Sequence, residues 1–157
     1  MSDVWLRDFQ ESDVVDLVAL FYASIRHGTH RHYNEAEREA WVPEIPDVDQ
    51  WRDRLHPLVI IVAQDNAGVA GFMTLDPSGH IDLAFVRPDL LGQGVARKIY
   101  HELETQAEGS GIVRLHCEAS HLARSFFTKQ GWSVIETQQV ETNGLLLTNH
   151  RMQKMLT

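Results

Sequence analysis

Between Leu58 and Val86 the chain passes through three apolar stretches, Leu58 to Gln64, Val69 to Leu75 and His80 to Val86. Only Asp65-Asn66-Ala67-Gly68 and Asp76-Pro77-Ser78-Gly79 separate them. A parallel neighbour needs a crossover of about a dozen residues or more, so connections this short impose an antiparallel meander. After Val86 the pattern changes. Arg87-Pro88 and a glycine-bearing loop lead into a helix from Val95 to about Glu108, with Ile99, Leu103 and Ala107 on one face.

Upstream, Val4 to Asp8 alternates as a short strand. Ser12 or Asp13 is placed to cap a helix whose apolar positions Val14, Leu17, Val18, Phe21 and Ile25 recur at helical spacing. Asn34, with Glu37 three positions on, predicts a helix from Glu35 to Val42, closed by Pro43 and Pro46; a third is expected around Trp51 and Leu55. Downstream, Gly109-Ser110-Gly111 ends the long helix, Val113 to Glu118 reads as a strand, and Leu122 to Gln130 as a helix stopped by Gly131. Trp132 to Val140 and Leu145 to Met155 form a hairpin around Asn143-Gly144. This order predicts an α/β (mixed α+β) fold: a central, mixed but mostly antiparallel twisted sheet of about seven strands flanked by helices. A length of 157 residues fits one domain, 1–157, with one substantial core.

Charge narrows the partners. The 22 Asp and Glu outnumber the 14 Lys and Arg, which argues against nucleic acid or an anionic membrane as a partner, since either needs a broad cationic surface. The start, MSDVWLRDF, is charged where a signal peptide is apolar, and no apolar run is long enough to span a bilayer. The single cysteine, Cys117, forms no intramolecular disulfide, so the cytoplasm is the expected location.

The chemistry concentrates in Val86-Arg-Pro-Asp-Leu-Leu-Gly-Gln-Gly-Val-Ala-Arg97, a strand, a turn and a helix start. Gly92 and Gly94 let a ligand approach the backbone, and the unpaired N–H groups of the first helical turn suit a phosphate or pyrophosphate. There is no GxxxxGK[ST], and the turn follows an antiparallel meander where a dinucleotide fingerprint would open a parallel βαβ unit. Val86, Pro88, Gly92, Gly94, Val95 and Ala96 match the V-x-P…[QR]-x-x-G-x-[GA] motif of the GNAT N-acetyltransferases. Ala123-Arg-Ser-Phe126-Phe127-Thr-Lys129-Gln-Gly131-Trp132 matches that family's A-x-x-F-[YF]-x-K-x-G-[FW] element. The chain therefore resembles the GNAT superfamily. His32-Tyr33 through Trp41, Ile81-Asp82 and Glu118-Ala119-Ser120 resemble its YafP-like subgroup in particular.

The resemblance implies an acetyl-CoA-dependent N-acetyltransferase with a splayed strand pair that forms the CoA wedge. Acetyl-CoA would serve as acyl-donor co-substrate, held by Phe85, Val86, Leu91, Gly92, Gln93, Gly94, Val95, Ala96, Arg97, Ser120, Phe126, Phe127 and Lys129. A backbone N–H near Phe85 or Val86 would polarise the carbonyl. The acceptor would be an amine of a small molecule or peptide, attacking the thioester directly. A non-catalytic acyl-CoA-binding or sensor domain of the same fold is the alternative, and a homodimer is left open. Two positions depart from the family. Leu91 stands where Gln or Arg is frequent, with Gln93, Arg97 and Lys98 near enough in sequence to compensate. Phe127 replaces a tyrosine that many members use to protonate the departing thiolate, so CoA would leave as the thiolate with help from Ser120 or water.

Nine histidines invite a metal reading, above all His27-Gly-Thr-His30-Arg-His32, but this run contains no carboxylate and lacks H-E-x-x-H spacing, so no metal is expected. Alternation from His80 predicts that Ile81, Leu83 and Phe85 face one way and His80, Asp82, Ala84 and Val86 the other. On the next strand it groups Arg114, His116 and Glu118 and buries Cys117 beside Leu115. Asp82 and Glu118 are expected beside the cleft, where they would attract a cationic amine and take its proton. Attack requires the neutral amine, and His32 is the first choice as base, with His30 and His116 behind it, because imidazole exchanges protons near neutral pH.

Overall fold

The computed structural model describes residues 3–156; Met1, Ser2 and Thr157, the ends of the span read as one domain, lie outside them. Strands β1 (Trp5–Asp8), β2 (Val59–Asp65), β3 (Gly68–Leu75) and β4 (Ala84–Val86) form an antiparallel sheet in that order. Strands β5 (Arg114–Ala119), β6 (Ser133–Thr142) and β7 (Leu145–Met155) form a second, with β7 in the middle. One parallel bridge, His80 to His116, joins the two. The expected mixed, mostly antiparallel arrangement of seven strands is present, with its parallel element confined to the point where the two halves meet.

The helices are α1 (Val14–Gly28), α2 (Glu35–Trp41), α3 (Val48–Leu55), α4 (Val95–Gly109) and α5 (His121–Lys129). The apolar run in β2 has buried side chains on both faces, which accounts for its lack of alternation. Ile60 and Val62 pack with Val14, Leu17, Val18, Trp51 and Leu55 of α1 and α3. Ile61 and Ala63 pack with Val95, Ile99, Leu103 and Ala107 of α4. Full burial of each large aliphatic side chain is worth about 1.5–3 kcal/mol, so these two layers fix the sheet between its helices. Gly71 of β3 permits the close fit: a Cβ there would lie 3.0 Å from Ile99 Cδ1 and 2.9 Å from the Phe85 carbonyl oxygen.

Two local expectations are corrected. Neither Ser12 nor Asp13 caps α1 with its side chain; Asp13 instead accepts the Gln10 N–H at 2.8 Å and pairs with Arg7 at 2.7 Å, tying β1 to the 3-10 turn before the helix. The strand read from His80 to Val86 is regular only over Ala84–Val86. At its start the chain belongs to the β5 side, with His116 N–H donating to Gly79 O at 3.0 Å and Ile81 N–H to His116 O at 2.9 Å. By Leu83 it has crossed to β3: Thr74 N–H donates to Leu83 O, and the Thr74 hydroxyl accepts the Leu83 N–H at 3.0 Å. The crossing breaks the predicted alternation. Ile81 joins the α4 core, whereas Leu83 and Phe85 join the core under α1 and α3. Beyond the crossing β4 and β5 diverge.

Candidate active site

The loop after β4 is anchored by Arg87, which pairs with Asp65 and with Asp89, each at 2.7 Å. These contacts hold both carboxyl groups below the usual carboxylate range. Gly92 and Gly94 have φ of +79° and +84°, a region costly for side-chain-bearing residues. Gly94 is the N-cap of α4, and no side chain caps it. The first helical hydrogen bond runs from Lys98 N–H to Gly94 O, so the N–H groups of Val95, Ala96 and Arg97 have no intrahelical acceptor. A Cβ on Gly92 or Gly94 would meet nothing within 4 Å. The surface is thus open backbone with a helix-dipole field suited to an anion, and the first turn contains no acidic residue. Of the three polar side chains that could offset Leu91, Gln93 donates to Asp89 O at 3.1 Å and Lys98 to Val4 O, so Arg97 is the exposed cation left near the loop.

A cavity of about 270 Å³ runs from this loop between β4 and α5. Its walls include Phe85, Val86, Leu91, Gly92, Ala96, Ser120, Phe126, Phe127 and Lys129. Leu91, 39% exposed, gives this wall an apolar lip. Strand geometry decides which backbone groups face it. Leu83 O and Arg87 N–H both bond to β3, which puts Phe85 on that side and turns the N–H groups of Ala84 and Val86 to the open edge. Consistently, the Val86 carbonyl accepts from the Ser24 hydroxyl at 3.1 Å, away from β3. Of the two donors weighed in the sequence, the Val86 N–H faces the open edge, as does that of Ala84, whereas the Phe85 N–H faces β3.

A second cavity, about 360 Å³, lies between Ile81–Phe85 and Cys117–Ser120 and is closed by α1, α2 and the β6–β7 hairpin. The two cavities share Trp41, Ala84, Phe85, Ser120, Ala123 and Phe127. Ser120 is the N-cap of α5: its oxygen accepts the Ala123 N–H at 3.1 Å, which leaves the hydroxyl hydrogen free to be donated. Phe127 is 2% exposed, packed on Trp132 with ring centroids 4.5 Å apart, and forms an apolar wall at the junction.

Both predicted carboxylates line the larger cavity, and each has a partner. Asp82 Oδ2 accepts from Arg54 Nε at 2.9 Å and Nη2 at 2.6 Å, so a guanidinium already compensates its charge. Glu118 Oε2 lies 2.6 Å from His80 Nε2, and the His80 ring is 5.0 Å from that of His116. Burial, then neighbouring His80, lowers the His116 pKa, which favours its neutral ring. Cys117 also borders the cavity, but burial pushes its thiol up to about 12, so it is not a thiolate at neutral pH.

His32 does not reach this site. It is exposed, outside the cavity wall, with its ring 6.2 Å from that of His121; His30 is likewise exposed and bonded to His27 O. The neighbouring residue, Tyr33, takes the place expected of His32. Its buried ring stacks on His121 at 4.8 Å, and its hydroxyl donates to Thr148 O at 2.9 Å and accepts the His121 N–H at 3.1 Å. Sequence reasoning missed Tyr33, Arg54 and the hairpin residues Leu147 and Asn149 as cavity residues. Helical periodicity carried a partial signal for Phe21 alone, which reaches the cavity from α1 and meets Phe85 edge-on at 5.0 Å.

Residues 29–154 match the model of a family described as acetyltransferase (GNAT) domain. The chain is 29% identical to the uncharacterized N-acetyltransferase YafP of Escherichia coli (strain K12), covering 97% of this chain and 96% of that protein. A crystal structure of a GCN5-related N-acetyltransferase from Rhodopseudomonas palustris, also described as aminotransferase, class-II, superposes with a TM-score of 0.91 at 33% identity, covering 99% and 98% of the two chains. The structure of yncA from Salmonella typhimurium with its cofactor acetyl-CoA has a TM-score of 0.75 at 18% identity, covering 99% and 95%. At that identity the likeness supports the fold.

Proposed function

Since the chain belongs to the GNAT acetyltransferases, we propose that it works as one domain, in the manner of the YafP-like subgroup, transferring an acetyl group from acetyl-CoA to an amine of a small molecule or peptide. The observation that carries this reading is the meeting of two cavities at Ser120 and Phe127, one opening from the glycine loop and the other lined by carboxylates. The N–H groups at the start of α4 would hold the pyrophosphate, and the cavity beside β4 the pantetheine arm. Acetyl-CoA supplies an acyl group already activated as a thioester, so the protein has to align, polarise and manage protons.

The residues present suit those tasks. Val86 N–H donates to the carbonyl oxygen as charge builds there. Glu118 takes a proton from the acceptor amine and passes it towards His80, a route that Asp82, held by Arg54, is less free to offer. Ser120 donates a hydrogen bond from its hydroxyl to the sulfur, which leaves as the thiolate, helped by the positive end of α5. A carbon–nitrogen bond forms as the carbon–sulfur bond breaks.

The test is thiol release from acetyl-CoA with a panel of amines, alongside calorimetry of acetyl-CoA binding. Glu118→Gln should lower turnover roughly 10²-fold or more, the usual worth of a general base, with acetyl-CoA affinity unchanged. Gly94→Glu, which adds bulk and negative charge at the helix start, should bind acetyl-CoA at least about tenfold more weakly in a folded protein. Equal affinity in Gly94→Glu would remove the pyrophosphate assignment. Acetyl-CoA binding without thiol release for any amine would favour the sensor reading, for which Phe127 in place of a proton-donating tyrosine is the supporting feature.

A further inference from the structure

We propose that Trp41 shields the thioester from water where the two cavities meet, so that the bound acetyl group is not lost to hydrolysis; the inference rests on the reading that the thioester lies at that junction. The residues bordering both cavities are Trp41, Ala84, Phe85, Ser120, Ala123 and Phe127. Apart from the indole N–H, the Ser120 hydroxyl is the one polar side-chain group among them. A buried water needs about two to four polar partners, so a junction this apolar stays dry once its open side is covered. Two of the aromatic rings there also serve the fold: Phe127 belongs to the α4 core, and Phe85 packs on the core under α1 and α3. Trp41 is half-buried and belongs to neither core, so its large ring is committed to the cavity walls.

The ring is held from two sides. Trp41 ends α2, a helix of 7 residues, too short to keep its shape alone in water. From α1, Arg26 donates to Val42 O at 3.2 Å, and Arg38 of α2 donates back to Arg26 O. From the tip of the β6–β7 hairpin, Asn143 Nδ2 donates to Ala40 O at 2.6 Å. Tyr33, which meets the Trp41 ring edge-on at 5.4 Å, donates to Thr148 O of β7. Asn143 is thus a positioning residue that acts through Trp41. The need for a shield follows from the chemistry. An N–H that polarises the thioester for an amine polarises it for water as well. In hydrolysis the water oxygen bonds to the carbonyl carbon, one water proton passes to Glu118, and the carbon–sulfur bond breaks with its electron pair on sulfur, giving acetic acid and the CoA thiolate. With no acetylated side chain to hold the group, the thioester is exposed to this loss for as long as it waits for an acceptor, and closing the site against water is a requirement separate from alignment.

The experiment measures thiol release from acetyl-CoA in the absence of amine, with protein in excess, for the parent, Trp41→Phe, Trp41→Ala and Asn143→Gly. Asn143 has a φ of +47°, and glycine keeps that conformation while removing the contact to α2. Trp41→Ala should release thiol roughly tenfold faster than the parent, Trp41→Phe at close to the parental rate, and Asn143→Gly in between. Acetyl-CoA affinity, measured by calorimetry, should change little. With amine present, Trp41→Ala should divide the acetyl group between acetate and amide, where the parent makes amide. In protein labelled with fluorotryptophan, the fluorine signal missing from Trp41→Phe should shift when acetyl-CoA binds, as the signal of a merely structural ring would not. Equal amine-free release in Trp41→Ala and the parent overturns the proposal, as does a Trp41 signal unmoved at saturating acetyl-CoA. Should Trp41→Ala not fold, Asn143→Gly decides by the same comparison. If amines never speed release in the parent but the variants still hydrolyse acetyl-CoA faster, the shield stands and acetyl transfer falls; if acetyl-CoA does not bind, both fall.

Discussion

Ser120 combines two tasks that substitution can separate. As N-cap of α5 it satisfies the Ala123 N–H, and as a hydroxyl between the two cavities it has a proton to give. Ser120→Ala removes both and should cost about 1 kcal/mol of stability together with activity. Ser120→Asp keeps a good cap, since aspartate ranks with serine there, but has no proton to donate at neutral pH. We expect the aspartate variant to melt close to the parent and still release thiol slowly, whereas parental turnover would restrict Ser120 to capping. Residues of this kind were only partly readable in the sequence. Ser120 stood out because it closes the Glu118-Ala119-Ser120 stretch. Arg54, 28 positions from Asp82, gave no local sign, and the resemblance at His32-Tyr33 did not reveal that Tyr33 reaches Thr148, 115 positions away, because these roles come from tertiary contacts.

Among the elements, the crossing from Ile81 to Leu83 determines the shape of the site. Its pivot is the Thr74 hydroxyl, which accepts the Leu83 N–H where the β3–β4 ladder would otherwise leave that donor unpaired. Thr74→Val keeps the volume and strands a buried N–H, so it should cost about 1–3 kcal/mol, with Thr74→Ser restoring most of the loss. If the crossing sets the gap between β4 and β5, acetyl-CoA affinity should fall in Thr74→Val in step with stability, and calorimetry checks this. Periodicity revealed the meander, the capped helices and the closing hairpin because local spacing and turn chemistry specify them. It overextended the strand from His80 because the break depends on a side chain from the neighbouring strand. It also misjudged Asp13, whose carboxylate turns back to Arg7 and Gln10.

For the whole molecule, three half-buried or buried histidines make stability depend on pH. His121 Nδ1 and His150 Nε2 lie 2.9 Å apart, and His150 Nδ1 is 3.0 Å from Thr137 Oγ1. Burial, followed by neighbouring positive groups, lowers the pKa of His116, His121 and His150; Glu37 acts in the opposite sense on His121. A lowered folded-state pKa means that the unfolded chain binds more protons, so this stability is fully present above the unfolded histidine value of about 6.5 and is lost as pH falls through the folded values. Asp13 and Asp65, held down by Arg7 and Arg87, contribute in the same sense at lower pH. Urea melts should weaken on acidification from pH 7 to 5, and His150→Gln should flatten that dependence. An unchanged slope in this variant would show that the histidine pair is not the source.

The wall shared by the two cavities has a kinetic consequence. The Cys117 thiol is held in its protonated form by burial, so the protein has no cysteine on which to park the acetyl group while CoA departs. Donor and acceptor must then be present together, and initial rates at several fixed amine concentrations should give intersecting rather than parallel double-reciprocal lines. Since the smaller cavity borders the larger along Phe85, Ser120 and Phe127, a bound donor completes the surface that the amine meets. For the proposed transfer, ordered binding with acetyl-CoA first is therefore the expected outcome, and CoA should inhibit competitively against acetyl-CoA but non-competitively against the amine.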